Sequence, residues 1–249
     1  MDNEKRMITW CRMWNDDPSL AYELMSDDCV QWSGRTAGLD AVVGPQEQER
    51  FVTAYRARTA NVFSPRVLVD AGDRFAYLWD VRKADGQVLT GIDVNVLEGD
   101  RVRENWTFVA ERHCGQPDPG PEAAEGTDAA TLEDLCHRWM RLRNGRTELA
   151  EDLVTDGFAL FSGADPAGDA HGPSELAELV ERQAAPGIRP AFTIHRQAVA
   201  DPARGHVAVL WTAENKADGA FVGGADLLTV RAGRFARAWS LTGTRPFRY

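Results

Sequence analysis

The chain carries one pattern twice, and this internal repeat limits the folds that it can adopt. Residues 10–34 align with residues 139–163 without a gap, and residues 90–106 align with 223–239. Identical residues recur at matched positions: Trp10 with Trp139, Gly91 with Gly224, Asp93 with Asp226, and Trp106 with Trp239. The repeated unit has roughly 110–120 residues, whereas solenoid repeats have only ~20–50. The sequence therefore predicts two similar globular domains, and each domain serves as an internal control for the other.

Charge and residue spacing argue against several classes of protein. The formal net charge is −10, which disfavours nucleic acid or an anionic membrane as partner because both need a basic surface. The cysteines show no CxxC spacing and the histidines no HxxxH or HExxH pattern, so we expect no metal site and no disulfide framework. No apolar run reaches the ~18 residues of a membrane span, and no signal-peptide core is present. We expect a soluble, cytoplasmic protein with a small-molecule ligand.

Hydrophobic periodicity predicts the same order of elements in both copies. The first copy has helical patterns over residues 4–14, from Asp17-Pro18 onward and over 44–58, with a short strand at 29–33. Strands of period two follow at 62–70, 74–82, 87–98 and 101–111. This order is typical of an α+β fold in which a curved antiparallel sheet wraps around helices.

The region between the two copies has the composition of a linker. Residues 113–130 lack periodicity and are rich in Pro, Gly, Ala and acidic residues. We therefore place the first domain at 1–112, the linker at 113–130 and the second domain at 131–249.

The strand face opposite Asp93 is too apolar to remain in water. We assign to it the following residues: Ile92, Val94, Val96, Leu227 and Thr229, with Trp79 and Trp211 beside them. This predicts that the two domains pack sheet to sheet as a pseudo-dimer within one chain, and it leaves open a further homodimer.

Two local patterns resemble the nuclear transport factor 2-like superfamily, specifically its SnoaL-like and ketosteroid-isomerase-like members. The first pattern is WND–DP–helix–DDCVQW over residues 14–32, and the second is GIDVNVLEGDRVRENW over residues 91–106. The resemblance covers nearly the whole chain outside the linker. It implies two tandem cone-shaped α+β barrels, each with a pocket between the helices and the concave face of the sheet. The superfamily includes isomerases, polyketide cyclases, epoxide hydrolases, dehydratases and non-catalytic binding proteins, so the fold does not select a reaction.

The catalytic positions of the family carry over only in part. The strand carboxyl of ketosteroid isomerases aligns with Asp93, and with Asp226 in the second copy. The helix tyrosine falls on Trp10 and Trp139, and the family base falls at Trp32 or Ser33. The acid of SnoaL-like cyclases falls on Ala110 and Gly243. Neither the ketosteroid isomerase mechanism nor the cyclase mechanism can therefore be assigned complete to this chain.

Asp93 is the foremost candidate for catalysis because it interrupts an apolar strand, residues 92–96. Burial disfavours the charged form of a carboxyl, so we expect the pKa of Asp93 to be raised. A protonated carboxyl can donate a hydrogen bond to a developing oxyanion. The alternative is a structural aspartate that is hydrogen-bonded to the backbone or to a helix.

Asp80 is the candidate base. If Asp85-Gly86 forms a two-residue turn, Asp80 lies diagonally opposite Asp93 on the same face, within ~7–8 Å. The pKa values of two such carboxyls would differ, so that one is ionised while the other is protonated, and the pH profile would be bell-shaped. The alternative is a surface aspartate paired with Arg82, which a shift of one residue in register would produce.

The other candidates come from differences between the two copies. Gln31 and Asn95 fall on Leu160 and Leu228, while Trp14 and Trp32 fall on Arg143 and Phe161. The sequence predicts a polar first pocket with these substrate-binding residues: Trp10, Trp14, Gln31, Trp32 and Asn95. It predicts a more apolar second pocket at Trp139 and Asp226, with Arg143 on a solvated helix face.

The leading hypothesis is an enzyme without metal or other cofactor that performs acid–base chemistry in the first domain. Its reaction would be isomerisation, cyclisation, epoxide opening or dehydration of a small, apolar, natural-product-like molecule. The alternative is a non-catalytic small-molecule-binding or accessory protein of a biosynthetic pathway. An enzyme should show two inward carboxyls in one closed pocket, whereas a binding protein should show an apolar pocket with Asp93 bonded to the backbone.

Overall fold

The computed structural model describes residues 1–34, 39, 42–112, 125–163, 166–183, 190–215 and 219–243. The chain divides into two compact units, Met1–Arg112 and His113–Tyr249. Each unit has its own buried hydrophobic cluster, and each combines helices with a curved sheet, which confirms the α+β fold class. No helix among the described residues is both long and apolar enough to cross a membrane.

The first unit follows the predicted order of elements closely. Its helices are α1 (Asn3–Asn15), α2 (Ala21–Leu24) and α3 (Gly44–Arg56). Its strands are β1 (Met25–Ser33), β2 (Val62–Asp70), β3 (Arg74–Arg82), β4 (Val88–Glu98) and β5 (Arg101–Glu111). Asp2 begins α1, since its side chain accepts a hydrogen bond from the Lys5 backbone N–H at 2.8 Å.

The sheet of the first unit has the strand order β1-β5-β4-β3-β2. Strands β2 to β5 form an antiparallel meander, but β1 pairs with β5 in parallel. The sheet is therefore mixed rather than wholly antiparallel as expected. No hairpin joins β1 to β5, so no tight turn dictates an antiparallel pairing between them.

The β3–β4 hairpin differs from the predicted two-residue turn. The Lys83 N–H donates to the Gln87 carbonyl at 2.8 Å, and the Gly86 N–H donates to the Lys83 carbonyl at 3.0 Å. Three residues, Ala84, Asp85 and Gly86, therefore form the turn, and Gly86 has a φ of 85°, which glycine adopts readily. The extra residue moves the register by one position, so that Tyr77 rather than Leu78 lies opposite Asp93.

The second unit repeats the plan with more interruptions. Its helices are α4 (Ala129–Arg143), α5 (Ala150–Leu153) and α6 (Gly172–Gln183). Its strands are β6 (Val154–Phe161), β7 (Ala170–His171), β8 (Pro190–Ile194), β9 (Val199–Asp201), β10 (His206–Asn215), β11 (Phe221–Arg231) and β12 (Arg234–Thr242). They pair in the order β7-β6-β12-β11-β10-β8, with β9 also on β10. Of the predicted linker, residues 113–124 lie outside the described residues, and α4 already begins at Ala129.

Candidate functional site: a cavity in the first unit

A cavity of about 180 Å³ lies in the first unit between α1, α3 and the sheet. Most of its wall is aromatic or aliphatic, contributed by Trp10, Trp14, Phe51, Tyr55, Phe63, Trp79, Val81, Leu89 and Val109. Several polar side chains of the sheet also line it, among them Tyr77, Asp93, Asn105 and Thr107. An apolar cavity of about 150 Å³ is enough to bind benzene, so this one can accept a small planar molecule.

Asp93 is the central polar group of the cavity wall. Its carboxyl accepts hydrogen bonds from Tyr77 Oη at 2.8 Å, Trp79 Nε1 at 2.9 Å and Asn105 Nδ2 at 3.3 Å. The Thr107 side chain also hydrogen-bonds to it. The donors are side chains from neighbouring strands, and not the backbone partners of the structural alternative. The predicted burial of Asp93 is confirmed, since only 4% of the residue is exposed.

Burial raises the pKa of the Asp93 carboxyl above its ordinary value, although the hydrogen bonds from Thr107, Tyr77, Trp79 and Asn105 act in the opposite direction. Among the described residues, no cation forms an ion pair with Asp93 to offset the cost of its charge. Burial, and secondly the nearby Asp93, also raise the pKa of the Tyr77 phenol well above 10.0. Burial together with Asp93 raises the pKa of the Cys11 thiol to about 12, so this cavity residue is not a thiolate nucleophile.

The predicted substrate-binding residues divide into two groups. Trp10, Trp14 and Gln31 line the cavity. Trp32 does not, because Gln31 and Ser33 face the cavity and alternation along β1 turns Trp32 to the other side. There its ring lies 5.6 Å from that of Trp106 and 5.4 Å from that of Phe108. The structure therefore places Trp32 outside this cavity, and its predicted contact with substrate stays a prediction.

Asn95 supports the cavity without lining it. It is fully buried, and its Oδ1 accepts a hydrogen bond from Asn105 Nδ2 at 2.9 Å. Asn105 is itself a cavity residue that reaches Asp93. Asn95 thus holds Asn105 in place, and its predicted contact with substrate stays a prediction.

The prediction that Asp80 faces Asp93 is wrong. The three-residue turn pairs Asp80 with Thr90, which turns the Asp80 side chain to the opposite face of β3. Its carboxylate contacts Arg112 at 2.6 Å, Thr90 at 2.8 Å and Arg66 at 3.3 Å. The alternative of a structural ion pair is correct in kind, but the partners are Arg66 and Arg112 rather than Arg82. Among the described residues, Asp93 is the carboxyl that lines the cavity, and Asp80 does not share it.

The same change of register corrects the predicted orientation of two tryptophans. Trp79 and Trp211 were expected on the outer face, but both indole N–H groups donate to the strand aspartates, Trp79 to Asp93 and Trp211 to Asp226. Each ring lies across the glycine opposite it on the next strand, Gly91 for Trp79 and Gly224 for Trp211. The shared G-x-D pattern therefore encodes an indole–carboxyl contact.

In the second unit, an arginine occupies the place of the cavity. Asp226 is fully buried and accepts from Trp139 Nε1 and Trp211 Nε1, each at 2.7 Å, and from Arg143 Nη1 at 3.0 Å. The Arg143 guanidinium lies 4.2 Å from the ring centroid of Phe192 and 5.3 Å from that of Trp211. Arg143 is thus a buried ion-pair partner and not the solvated residue that we expected. These contacts join Trp139, Trp211 and Arg143 to one carboxyl, and the second pocket predicted at Trp139 and Asp226 stays a prediction.

The two units differ in one further hydrogen bond. Trp139 donates to Asp226, but the indole N–H of the equivalent Trp10 has no hydrogen-bond acceptor among the described residues. In the first unit, the Tyr77 hydroxyl occupies the corresponding carboxyl oxygen. Trp10 therefore lines the cavity with an N–H that is available to a ligand.

Sequence reasoning missed Tyr77, Asn105 and Thr107 as members of the site. The comparison of the two copies contains a signal for two of them, since Tyr77 lies opposite Asp93 where Val209 lies opposite Asp226, and Asn105 falls on Ala238. The cavity residue Gln31 is held by Gln48, which does not line the cavity and whose Oε1 accepts a hydrogen bond from Gln31 Nε2 at 2.5 Å. Within the described part of the chain, no three His, Cys, Asp or Glu side chains converge as a metal site.

Comparisons with known proteins extend to fold but not to sequence. No protein-family model matches the sequence, and no curated protein is detectably similar to it. Solved structures that are similar include a protein of the SnoaL-like family from Agrobacterium tumefaciens, at 17% identity and a TM-score of 0.38 over 45% of this chain and 97% of that one. They also include IdmH from Streptomyces antibioticus, a candidate polyketide cyclase, at 18% identity and a TM-score of 0.38 over 43% of this chain and 90% of that one.

A third similar structure is a nuclear transport factor 2-like protein from Mesorhizobium loti, at 24% identity and a TM-score of 0.35 over 44% of this chain and 94% of that one. The similarity is one of fold. Each of these proteins spans a little under half of this chain.

Proposed function

We propose that the first unit is catalytic, and that Asp93 is the general acid for a small, planar, largely apolar substrate with a carbonyl or similar oxygen. The contrast between Asp93 and Asp226 carries this proposal. Both aspartates occupy equivalent strand positions and accept from an equivalent tryptophan. Asp226 is neutralised by Arg143, whereas the corresponding Trp14 leaves Asp93 without a counter-ion beside an open cavity. Burial without a counter-ion favours the protonated acid, which is the form that a general acid needs.

The hydrogen bonds around Asp93 can accommodate either protonation state. Trp79 and Asn105 offer only N–H donors, but the hydroxyls of Tyr77 and Thr107 can donate or accept. When Asp93 carries a proton, one of these hydroxyls accepts a hydrogen bond from the carboxylic acid. The O–H of that hydroxyl then turns toward the cavity, which both residues line. The proton on Asp93 can therefore reach a bound oxygen directly or through one hydroxyl.

This arrangement supports acid-assisted reactions of a carbonyl compound, such as enolisation, isomerisation or ring closure. The acid stabilises negative charge that develops on the substrate oxygen, and the Trp10 N–H is a second donor available to the same oxygen. Asp93 is the carboxyl that lines the cavity within the described residues. Where a reaction also requires a base, the substrate or water would supply it.

A second candidate function is non-catalytic binding of the same class of molecule. One observation favours it: Asp93 already has side-chain partners on both oxygens, so the carboxyl is satisfied without a ligand. A buried polar group that is fully hydrogen-bonded is an ordinary structural feature of proteins.

Proton exchange of a model ketone distinguishes the two functions. 1-Indanone is planar and neutral, and its α-protons exchange with D₂O through the enol, which NMR follows directly. We expect the protein to accelerate exchange, and Asp93→Asn to remove about 10²-fold or more of that acceleration while 1-indanone still binds. Asp152→Asn, the same change at an exposed position, is the control. Binding without acceleration would favour the non-catalytic function, and absence of binding would contradict both.

A further inference from the structure

The cavity continues from Asp93 toward the β3–β4 hairpin, and its far end has a different polar character. Tyr77 and Lys83 both line the cavity, and the positions between them along β3 separate their Cα atoms by ~20 Å at ~3.3 Å per residue. Phe63, Val81, Leu89 and Val109 line the wall between these ends. The cavity wall therefore has polar groups toward both of these ends and apolar residues between them.

Lys83 brings a positive charge to the hairpin end, where no carboxylate of the described residues offsets it. It is half-buried, and none of the described carboxylates forms an ion pair with it. Its Nζ donates to the Gln87 Oε1 at 2.5 Å, but that amide is neutral. An ammonium group that is partly removed from water without an opposite charge is costly. The chain has 38 acidic residues and 28 basic ones, so carboxylates are abundant in it and a shortage of them does not explain why Lys83 has no ion-pair partner among the described residues.

Tyr55 adds a second donor at the same end. The Tyr55 Oη accepts a hydrogen bond from Asn61 Nδ2, and both residues line the cavity together with Lys83. Since the phenol oxygen is occupied as an acceptor, its own O–H remains to donate. Asn61 precedes Val62, which pairs with Arg82, so Asn61 and Lys83 lie at the same end of adjacent strands. A hydroxyl donor beside an ammonium group, with no carboxyl of the described residues lining that end, is suited to an anion.

We infer that Lys83 and Tyr55 bind a carboxylate of the substrate, which makes the substrate an elongated aromatic or polyene-like acid. The inference rests on the proposed function, in that the opposite end of the same molecule presents its oxygen to Asp93. Lys83 and Tyr55 set the direction in which the molecule enters, because only one of its ends carries a charge. The apolar middle of the cavity holds the planar body of the substrate.

Three probes of nearly equal shape test this subsite: 6-hydroxy-2-naphthoate, its methyl ester, and 2-naphthol. Isothermal titration calorimetry with the whole chain gives their affinities. We expect the acid to bind about tenfold more tightly than the ester, a difference of about 1.4 kcal/mol. Lys83→Met should abolish this preference and leave the affinity of the ester unchanged, and Tyr55→Phe should reduce the preference by a smaller factor. Raised ionic strength should also weaken binding of the acid but not of the ester.

Arg82→Met is the matched control, because Arg82 is the adjacent residue, is exposed, and lies on the other face of β3. It should keep the preference for the acid. Equal binding of acid and ester by the wild-type protein, or a preference that survives in Lys83→Met, would overturn the carboxylate subsite. If the ester and 2-naphthol still bind in that case, the proposed function stands without the carboxylate subsite. Failure of all three probes to bind would contradict the subsite and the proposed cavity function together.

Discussion

The indole ring of Trp79 lies directly across Gly91, in the space that any larger residue would occupy. A Cβ atom at position 91 would come within 2.1 Å of the ring. This close approach lets the Trp79 N–H reach the Asp93 carboxyl on the same strand as the glycine. Gly224, Trp211 and Asp226 repeat the arrangement in the second unit, where the corresponding approach is also 2.1 Å. The glycine and the aspartate of the repeated pattern are therefore parts of one contact.

Gly91→Ala should destabilise the first unit, because the buried Trp79 ring must move and lose its hydrogen bond to Asp93. Overpacking of a core costs about 1–3 kcal/mol, and the lost hydrogen bond places the effect at the upper end of that range. Urea denaturation followed by tryptophan fluorescence measures it. Gly157→Ala is the control, since a Cβ there has no neighbour within 4 Å. Equal stability of the two variants would show that Trp79 does not depend on Gly91.

Asp226→Asn should be more destabilising than Asp93→Asn, even though the residues are equivalent in the repeat. The first change leaves the Arg143 guanidinium buried without its counter-ion, which costs about 3–5 kcal/mol. Asp93→Asn removes hydrogen bonds but leaves no buried charge without a partner. It should lower the free energy of unfolding by about 1–3 kcal/mol. Chemical denaturation provides both free energies of unfolding.

The double variant Asp226→Asn/Arg143→Met should recover much of the stability lost in Asp226→Asn, because it removes the stranded charge. If the double variant were no more stable than the single one, the ion pair would not be the cause.

The stability of the protein should depend on the protonation of Asp93. Burial raises the folded-state pKa of this carboxyl above its unfolded value of ~3.9, so folding favours the protonated form. The resulting stabilisation is fully present below pH ~3.9 and is lost as the pH rises toward the folded-state pKa. Measured from pH 4 to 8, the wild-type protein should therefore lose stability relative to Asp93→Asn. A wild-type protein that gained stability over the variant with rising pH would show that the pKa is lowered instead.

Asp80→Asn should leave the cavity unaffected, because Asp80 lies on the opposite face of β3. Binding of 1-indanone, and its pH dependence, should match those of the wild-type protein. The variant should nevertheless lose about 1–3 kcal/mol of stability, since Arg66 and Arg112 lose a partly buried carboxylate. A specific loss of ketone binding in a folded Asp80→Asn protein would contradict the observed register. The pH profile of wild-type activity should accordingly fall only on its alkaline side, as Asp93 loses its proton. It should not have the bell shape that a pair of carboxyls would produce.

The sequence determined the local features of this protein well. The strands observed at Val62–Asp70, Arg74–Arg82 and Arg101–Glu111 have the predicted bounds, because alternating apolar residues and Gly or Asp turns are local signals. The apolar residues around Asp93 identified it as an unusual strand residue, and the difference between the two copies predicted that Gln31 lines a polar first cavity. The sheet-to-sheet pairing of the two domains stays a prediction.

Only the tertiary structure decided which residues share the cavity with Asp93. One additional residue in the turn after Lys83 reverses the face of every side chain on β3, so Trp79 and Tyr77 enter the site and Asp80 leaves it. The long Arg143 side chain reaches Asp226 from the end of a helix, across 83 residues of sequence, and no local pattern encodes such a contact. Hydrophobic periodicity indicates which residues of one segment are buried. The register between strands and the contacts of long side chains depend instead on how the segments pack together. For this reason the repeat revealed two similar domains, but the fold alone showed that Asp93 faces a cavity while Asp226 pairs with Arg143.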